Sequence, residues 1–335
     1  MAVPTALVTG ANGLLGAHLL KHLVDSGMAV RAMVRPKANL QLWQKLWPEP
    51  MDPWPFELFE GDFLDMFDLE KALEGVDAVF HTAGMVSFYR KDHQAMMHVN
   101  ARGTAGLVNA MLAVRPKAWL CHVSSIAALG RSNKPELIDE HRSWKKDPAN
   151  TGYAQSKYAA ELEVWRGIEE GLHAAVVNPS VILGRVPDWS CNTGKLFTQV
   201  SKGLPFAPPG NTGFVDVLDV VQVMHALYLR RCTNQRFILN GENTSWMQLL
   251  STIAAEIGQP APRRKASKSL MKLLPYLRFL PGLPNISQEM VSNSMQENRY
   301  SSAKISEYLD FEFRPLNQTI ARLANAFLRD TKPIN

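Results

Sequence analysis

The chain has 335 residues, 46% of them hydrophobic and 20% charged, with a net charge of +5. That is enough apolar material for a nucleotide-type fold with a smaller lobe, and the basic excess is mild. No Lys/Arg run alternates with aromatics, so nucleic acid is not expected as a partner, although an anionic small molecule is.

Thr5–Thr9 reads as a buried strand. It starts so close to Met1 that no signal peptide is expected ahead of it. The glycine cluster from Gly10 to Gly16 follows. A helix then carries Leu14, Leu15, Leu19, Leu20 and Leu23 on one stripe and stops near Gly27. Ala29–Val34 is the second strand, 37–55 a Trp- and Pro-rich connection with a short helix, and Phe56–Phe59 the third strand. Asp68–Leu73 is helical and Ala78–His81 is a strand. Asn100–Val114 is helical, Ala118–Val123 a strand, Tyr153–Glu170 a long helix and Ala174–Asn178 a strand. Strands alternating with helices predict an α/β fold, a doubly wound parallel sheet in the order 3-2-1-4-5-6. After Pro179 the pattern loosens. Helices are expected over Trp246–Ile257, Ser302–Leu309 and Leu316–Leu328. We expect residues 1–178 to form the nucleotide domain, with segments near 213–240 (Gly213–Val217 and Arg236–Leu239) returning to its sheet. Residues 179–335 then form most of a small substrate lobe. No apolar run reaches the roughly 20 residues of a membrane span. Cys121, Cys191 and Cys232 form no CxxC, which fits a reduced cytoplasmic compartment and gives no metal site.

The loop Gly10-Ala11-Asn12-Gly13-Leu14-Leu15-Gly16 lies between a strand and a helix, where a dinucleotide diphosphate belongs. Helix N–H groups and the helix dipole stabilise its charge, and glycine lets the backbone come close. The spacing is Gly-x-x-Gly-x-x-Gly, not the general Gly-x-Gly-x-x-Gly. An acid at the end of the second strand would bind the ribose 2′-OH of NAD(H). Arg35 stands there instead, and a guanidinium suits a 2′-phosphate, so the expected cofactor is NADP(H). The alternative for Arg35 is a solvated surface side chain. Asp62 either accepts from the adenine amino group, with Phe63 alongside the ring, or forms a turn after the third strand. Thr82, Ala83 and Gly84 are small enough to let the cofactor pass. His81 reads as structural.

Tyr153-Ala154-Gln155-Ser156-Lys157 opens a helix with its phenol and ammonium on one face. A nearby ammonium favours the phenolate, so Lys157 is expected to lower the pKa of Tyr153 from its usual value near 10. Tyr153 then passes a proton to a carbonyl oxygen as hydride arrives, and Lys157 also holds the nicotinamide ribose. Ser124 and Ser125 end the preceding strand, at the edge where such sheets bind ligands; a hydroxyl there stabilises developing charge on oxygen. Asn100 is either a helix cap or holds a relay water.

Taken with Asn178-Pro179-Ser180-Val181 and Phe214-Val215-Asp216-Val217, these pieces resemble an extended short-chain dehydrogenase/reductase. That family lies within the NAD-dependent epimerase/dehydratase superfamily, and the chain is most similar to its dihydroflavonol-reductase-like branch. The pieces occur in family order over most of the chain. The resemblance implies Ser125, five residues before Gly130, as the catalytic serine, which leaves Ser124 with the cofactor. It also implies that backbone near Pro179 and Val181 holds the nicotinamide carboxamide. It implies a homodimer through the helices Asn100–Val114 and Tyr153–Glu170. The expected activity is NADP(H)-dependent reduction of a ketone or aldehyde on a small, moderately apolar molecule. The alternatives are a nucleotide-sugar epimerase or dehydratase that retains its cofactor, and a non-catalytic NADPH sensor. Two features tempt elsewhere. Ser267 to Pro284 reads as a cap over the cleft more than as a membrane-touching surface, and Trp43, Trp47 and Trp54 as packing of a long loop more than as a stacking platform.

Overall fold

Short aliphatic runs form seven strands: β1 (Thr5–Thr9), β2 (Ala29–Val34), β3 (Glu57–Glu60), β4 (Ala78–His81), β5 (Trp119–Val123), β6 (His173–Pro179) and β7 (Gln235–Leu239). The computed structural model describes residues 3–47, 49, 53–130, 136–147, 150–276 and 287–331. The strands make one sheet in the order 7-6-5-4-1-2-3, and every pairing is parallel. This is the doubly wound sheet expected, extended by a seventh strand.

Because side chains alternate along a strand, the sheet needs cover on both faces. On one face Ala6, Val8 and Phe80 meet Leu19, Leu20 and Leu23 of the helix Leu14–Asp25 and Val220, Met224 and Leu227 of the helix Val217–Leu229. On the other, Leu7, Val79, Leu120 and Val176 meet Leu69, Leu107, Met111 and Val164 from three further helices. The strand order reverses between β1 and β4, so the carboxyl ends of these two strands open a crevice.

Arg236–Leu239 joins this sheet as β7, but Gly213–Val217 does not. Asn211–Asp216 pairs with Val181–Leu183 and with Glu242–Ser245 in a separate three-stranded sheet. The cause is the chain's turn after Pro179: Val181 onward leaves the main sheet and takes Phe214–Asp216 as its parallel neighbour. A second apolar cluster beside it joins Leu183, Phe197, Phe214, Leu249, Ile253, Leu323 and Phe327. The Trp-rich connection packs as a loop core. Trp43 meets Trp54 and Phe56 edge-on at 5.6 and 5.0 Å. Of Ser267 to Pro284, the helix Lys268–Leu273 packs Met271 against Ala266 and Val291, while Pro281 and Pro284 lie outside the described residues.

The helix expected to start at Asn100 starts earlier. An α-helical turn, His93–Met96, leads into a π-wound stretch, Met97–Arg102, before the regular helix Gly103–Val114. Asn100 is therefore not a cap residue. It lies inside the wide turn, 2% exposed, where one extra residue per turn displaces the ladder locally. Among the described residues no helix is long and apolar enough to cross a membrane.

Candidate functional site

Gly10 ends β1 with φ +67°, and a side chain there would meet Ala83 Cα at 2.7 Å. A Cβ on Gly16 would overlap the Gly10 carbonyl oxygen. These two glycines let the loop pack against the 82–84 segment and against its own helix. The helix Leu14–Asp25 has Gly13 as its N-cap and no side-chain cap. Its first-turn N–H groups at Leu14, Leu15 and Gly16 thus have no intrahelical acceptor. Other helices here are closed by Asp65, Thr151, Asp216 or Ser245 side chains. An uncapped helix end beside glycines too crowded for a Cβ fits a dinucleotide diphosphate. Trp43, buried in the Trp-rich loop, donates its indole N–H to the Ala11 carbonyl at 2.9 Å and so holds the loop from below. The Asn12 side chain reaches the Asn39 carbonyl at 3.4 Å.

Arg35 stands exposed just past β2, and none of the described residues forms an ion pair with it. Asp62 accepts the Leu64 N–H at 3.0 Å, the turn-forming alternative for this residue, which still leaves its second oxygen. Phe63 lies edge-on to His81, ring centres 5.6 Å apart, and against Gly103. Thr82 donates its hydroxyl to the Thr9 carbonyl at 2.7 Å, and the Ala83 N–H reaches the Thr9 hydroxyl at 3.3 Å. His81 bonds the Thr9 and Thr104 hydroxyls, and burial lowers it to about 3, so it is neutral and structural.

Thr151 caps the helix Gly152–Glu169 by accepting the Ala154 N–H, which sets Tyr153 in the first turn and Lys157 one turn on. Ser125 follows β5 and accepts the Ala127 N–H at 3.1 Å. Its hydroxyl lies near enough to the Tyr153 phenol to favour the phenolate. Ser124 points the other way, to Glu161 at 2.7 Å. Backbone alternation thus separates the two serines and brings Ser125, not Ser124, to Tyr153. Lys157 is 5% exposed and donates to the Val123 carbonyl at 2.7 Å. It lies beside Gly84, where an added Cβ would be 3.9 Å from the ammonium.

The electrostatics correct one expectation. Burial pushes the Tyr153 phenol above its usual value, and the nearby Ser125 hydroxyl pulls it back only in part. Burial also brings Lys157 down to about 8, partly offset by the charge of Glu161. Desolvation therefore outweighs the lowering of Tyr153 by Lys157 that helix spacing suggested, because the ammonium is turned to the Val123 carbonyl. A phenol above its ordinary value at neutral pH is a proton donor, the state carbonyl reduction needs.

Asn100 accepts the Met85 N–H at 2.7 Å, and its amide nitrogen donates to the Met85 carbonyl and the Ser156 hydroxyl, each at 2.9 Å. It ties the segment after β4 to the helix of Tyr153. Pro179 ends β6 opposite Leu239, and Val181 opens the second sheet. Gly184, just beyond, lies against Val217 and Leu14. Three buried residues escaped the sequence reading: Trp43 as a loop support, His122, and Glu161. Both ring nitrogens of His122 lack a partner among the described residues. For Glu161 a signal existed. Tyr153, Lys157 and Glu161 repeat every four residues and share one helical face.

Residues 6–237 match the NAD dependent epimerase/dehydratase family. The chain is 28% identical to a Synechocystis sp. protein provisionally named dihydroflavonol 4-reductase, across 96% of this chain and 93% of that one. It is 30% identical to sterol demethylase protein B of Methylococcus capsulatus, across 82% and 81%. Among solved structures it is similar to gox2253, with a TM-score of 0.82, 28% identity and 99% of both chains covered.

Proposed function

The chain belongs to the NAD dependent epimerase/dehydratase family, and from that premise we propose that it is an NADP(H)-dependent reductase of a ketone or aldehyde on a small, moderately apolar molecule. The observation that carries the reading is the placing of Tyr153 in the first turn of its helix with the Ser125 hydroxyl near its phenol, and of the buried Lys157 one turn along beside Gly84. The bound dinucleotide supplies hydride. Ser125 donates to the carbonyl oxygen and stabilises its developing negative charge. Tyr153 gives that oxygen its proton, so ketone plus hydride plus proton balance as alcohol. Lys157 orients the nicotinamide ribose and carries positive charge beside the site. The loop from Gly10 to Gly16 takes the diphosphate, with Asn12, Leu14 and Leu15 at its rim. Asp62, Phe63 and the 82–84 segment flank the adenine side and the passage of the cofactor, and Pro179, Val181 and the backbone of Ser124, whose hydroxyl is taken by Glu161, back the nicotinamide side.

The preference for the 2′-phosphate is supported by the exposed Arg35 guanidinium, which has no ion pair among the described residues. The apolar substrate is supported by Phe88, whose ring lies 6.2 Å from that of Tyr153, and by Val86, 63% exposed beside it. Residues 179–335 supply most of the substrate lobe in this reading. The enzyme is cytoplasmic and works as a homodimer. Val114 and Leu162, both exposed on the helices Gly103–Val114 and Gly152–Glu169, support the place of the contact.

The test is NADPH consumption over a panel of aryl and alkyl aldehydes and ketones, with wild type and Tyr153→Phe. Loss of the proton donor is expected to lower turnover about 100- to 10,000-fold while NADPH still binds. Equal turnover by the two proteins would remove Tyr153 from the reaction. Silence in both would favour a sensor, and nucleotide that stays bound through purification would favour an epimerase.

A further inference from the structure

Glu161 is a carboxylate only 2% exposed, one turn beyond Lys157. Burying such a group is costly unless each oxygen is well matched. Here Oε2 accepts the Ser124 hydroxyl at 2.7 Å and the Asn178 amide at 3.0 Å. Oε1 accepts the Trp165 indole at 3.2 Å and the Arg236 guanidinium at 3.0 Å. The Asn178 nitrogen that reaches Glu161 also donates to the Ser125 carbonyl at 2.9 Å. Arg236 is held in turn by the Glu140 and Arg142 carbonyls. One carboxylate therefore joins the end of β5, the end of β6, β7 and the helix of Tyr153.

We propose that Glu161 is a positioning residue for the Ser125–Tyr153–Lys157 set: through Asn178 and Ser124 it holds the turn that carries Ser125, and it sets a buried negative charge one turn beyond Lys157. The proposal rests on the reading of those three residues given above. The requirement is for a carboxylate, not for an amide of the same shape. All four partners donate, and only a carboxylate accepts on both oxygens. A glutamine that kept its oxygen toward Arg236 and Trp165 would turn its NH₂ toward Asn178. The Asn178 amide would then have to flip and release the Ser125 carbonyl. The titratable groups facing Lys157 from other elements are His81 of β4 and His122 of β5, both neutral through burial; Tyr153 precedes it by one turn on its own helix. Glu161 is the anion that offsets the burial of Lys157, and Arg236 is the cation that tempers it.

NADPH alone serves as the probe, with its affinity read by fluorescence from pH 6 to 10. In wild type the affinity is expected to fall as Lys157 loses its proton near pH 8. In Glu161→Gln the fall should come about one unit lower, and Glu161→Asp, which restores the charge, should move it back. Lys157→Met should abolish the step. A step that survives in Lys157→Met would defeat the assignment of Lys157 itself. A step lost in Lys157→Met but unmoved in Glu161→Gln would defeat the role of Glu161 alone. Circular dichroism checks each fold. If Glu161→Gln does not fold, Arg236→Gln is read instead: the freed carboxylate should move the step to higher pH, and an unmoved step overturns the proposal.

Discussion

Lys157→Met should make this protein inactive and more stable at once. In the folded chain the lysine titrates at about 8, against 10.5 for a free side chain. A base whose folded value is depressed binds its proton less well in the native state. Below pH 8 both states are protonated, and the native state carries the full penalty of the buried charge. The 2.5-unit difference between those two values corresponds to about 3 kcal/mol. Methionine keeps the apolar stem and removes the charge. It also removes the donor to the Val123 carbonyl, a loss of about 1 kcal/mol. The net expectation is a gain of about 2 kcal/mol at pH 7. As pH rises from 8 to 10.5 the unfolded state holds more protons than the native one, so wild-type stability recovers and the gain shrinks. Urea unfolding of both proteins at pH 7 and pH 10 measures this. A variant less stable than wild type at pH 7, or a difference that does not narrow at pH 10, would refute the view that this ammonium is held at a cost. Such a trade of stability for activity is common where a site must hold a buried charge.

Further outcomes follow from single contacts. Arg35→Asp should weaken NADPH by about 2 kcal/mol, roughly thirtyfold, and leave NADH unchanged or improved, as read by isothermal titration; unchanged discrimination would make Arg35 a surface side chain. Trp43→Phe keeps the ring but not the indole N–H that holds Ala11. It should weaken both dinucleotides equally, by about 1 kcal/mol or roughly fivefold. Leu162→Arg places a charge on the helix assigned to the dimer contact and should shift sedimentation toward the monomer; no change in a wild-type dimer would move the contact elsewhere.

The strand–helix alternation, the glycine turn and the Tyr153–Lys157 spacing were all readable because each is local. A strand has period two, a helix has period 3.6, and a phosphate loop is a few residues between them. Thus the six predicted strands, their order and the helix carrying Tyr153 were legible to within a residue or two at their ends. Departures came where distant segments compete. Gly213–Val217 has the pattern of a strand, but only the path of Val181–Leu183 decided which sheet would take it. Asn100 looked like a helix start because the π-wound stretch that encloses it has no simple sequence period.

Residue order by itself determined the α/β fold and brought Tyr153 and Lys157 to one side of a helix, since neighbours in a helix meet whatever surrounds them. Only the folded chain decided that Ser124 turns to Glu161 while Ser125 turns to Tyr153. It also decided that the charges of Lys157 and Glu161 are both enclosed. Burial depends on residues far away in the chain, and burial sets the protonation of Tyr153 and Lys157 more strongly than spacing along the helix does.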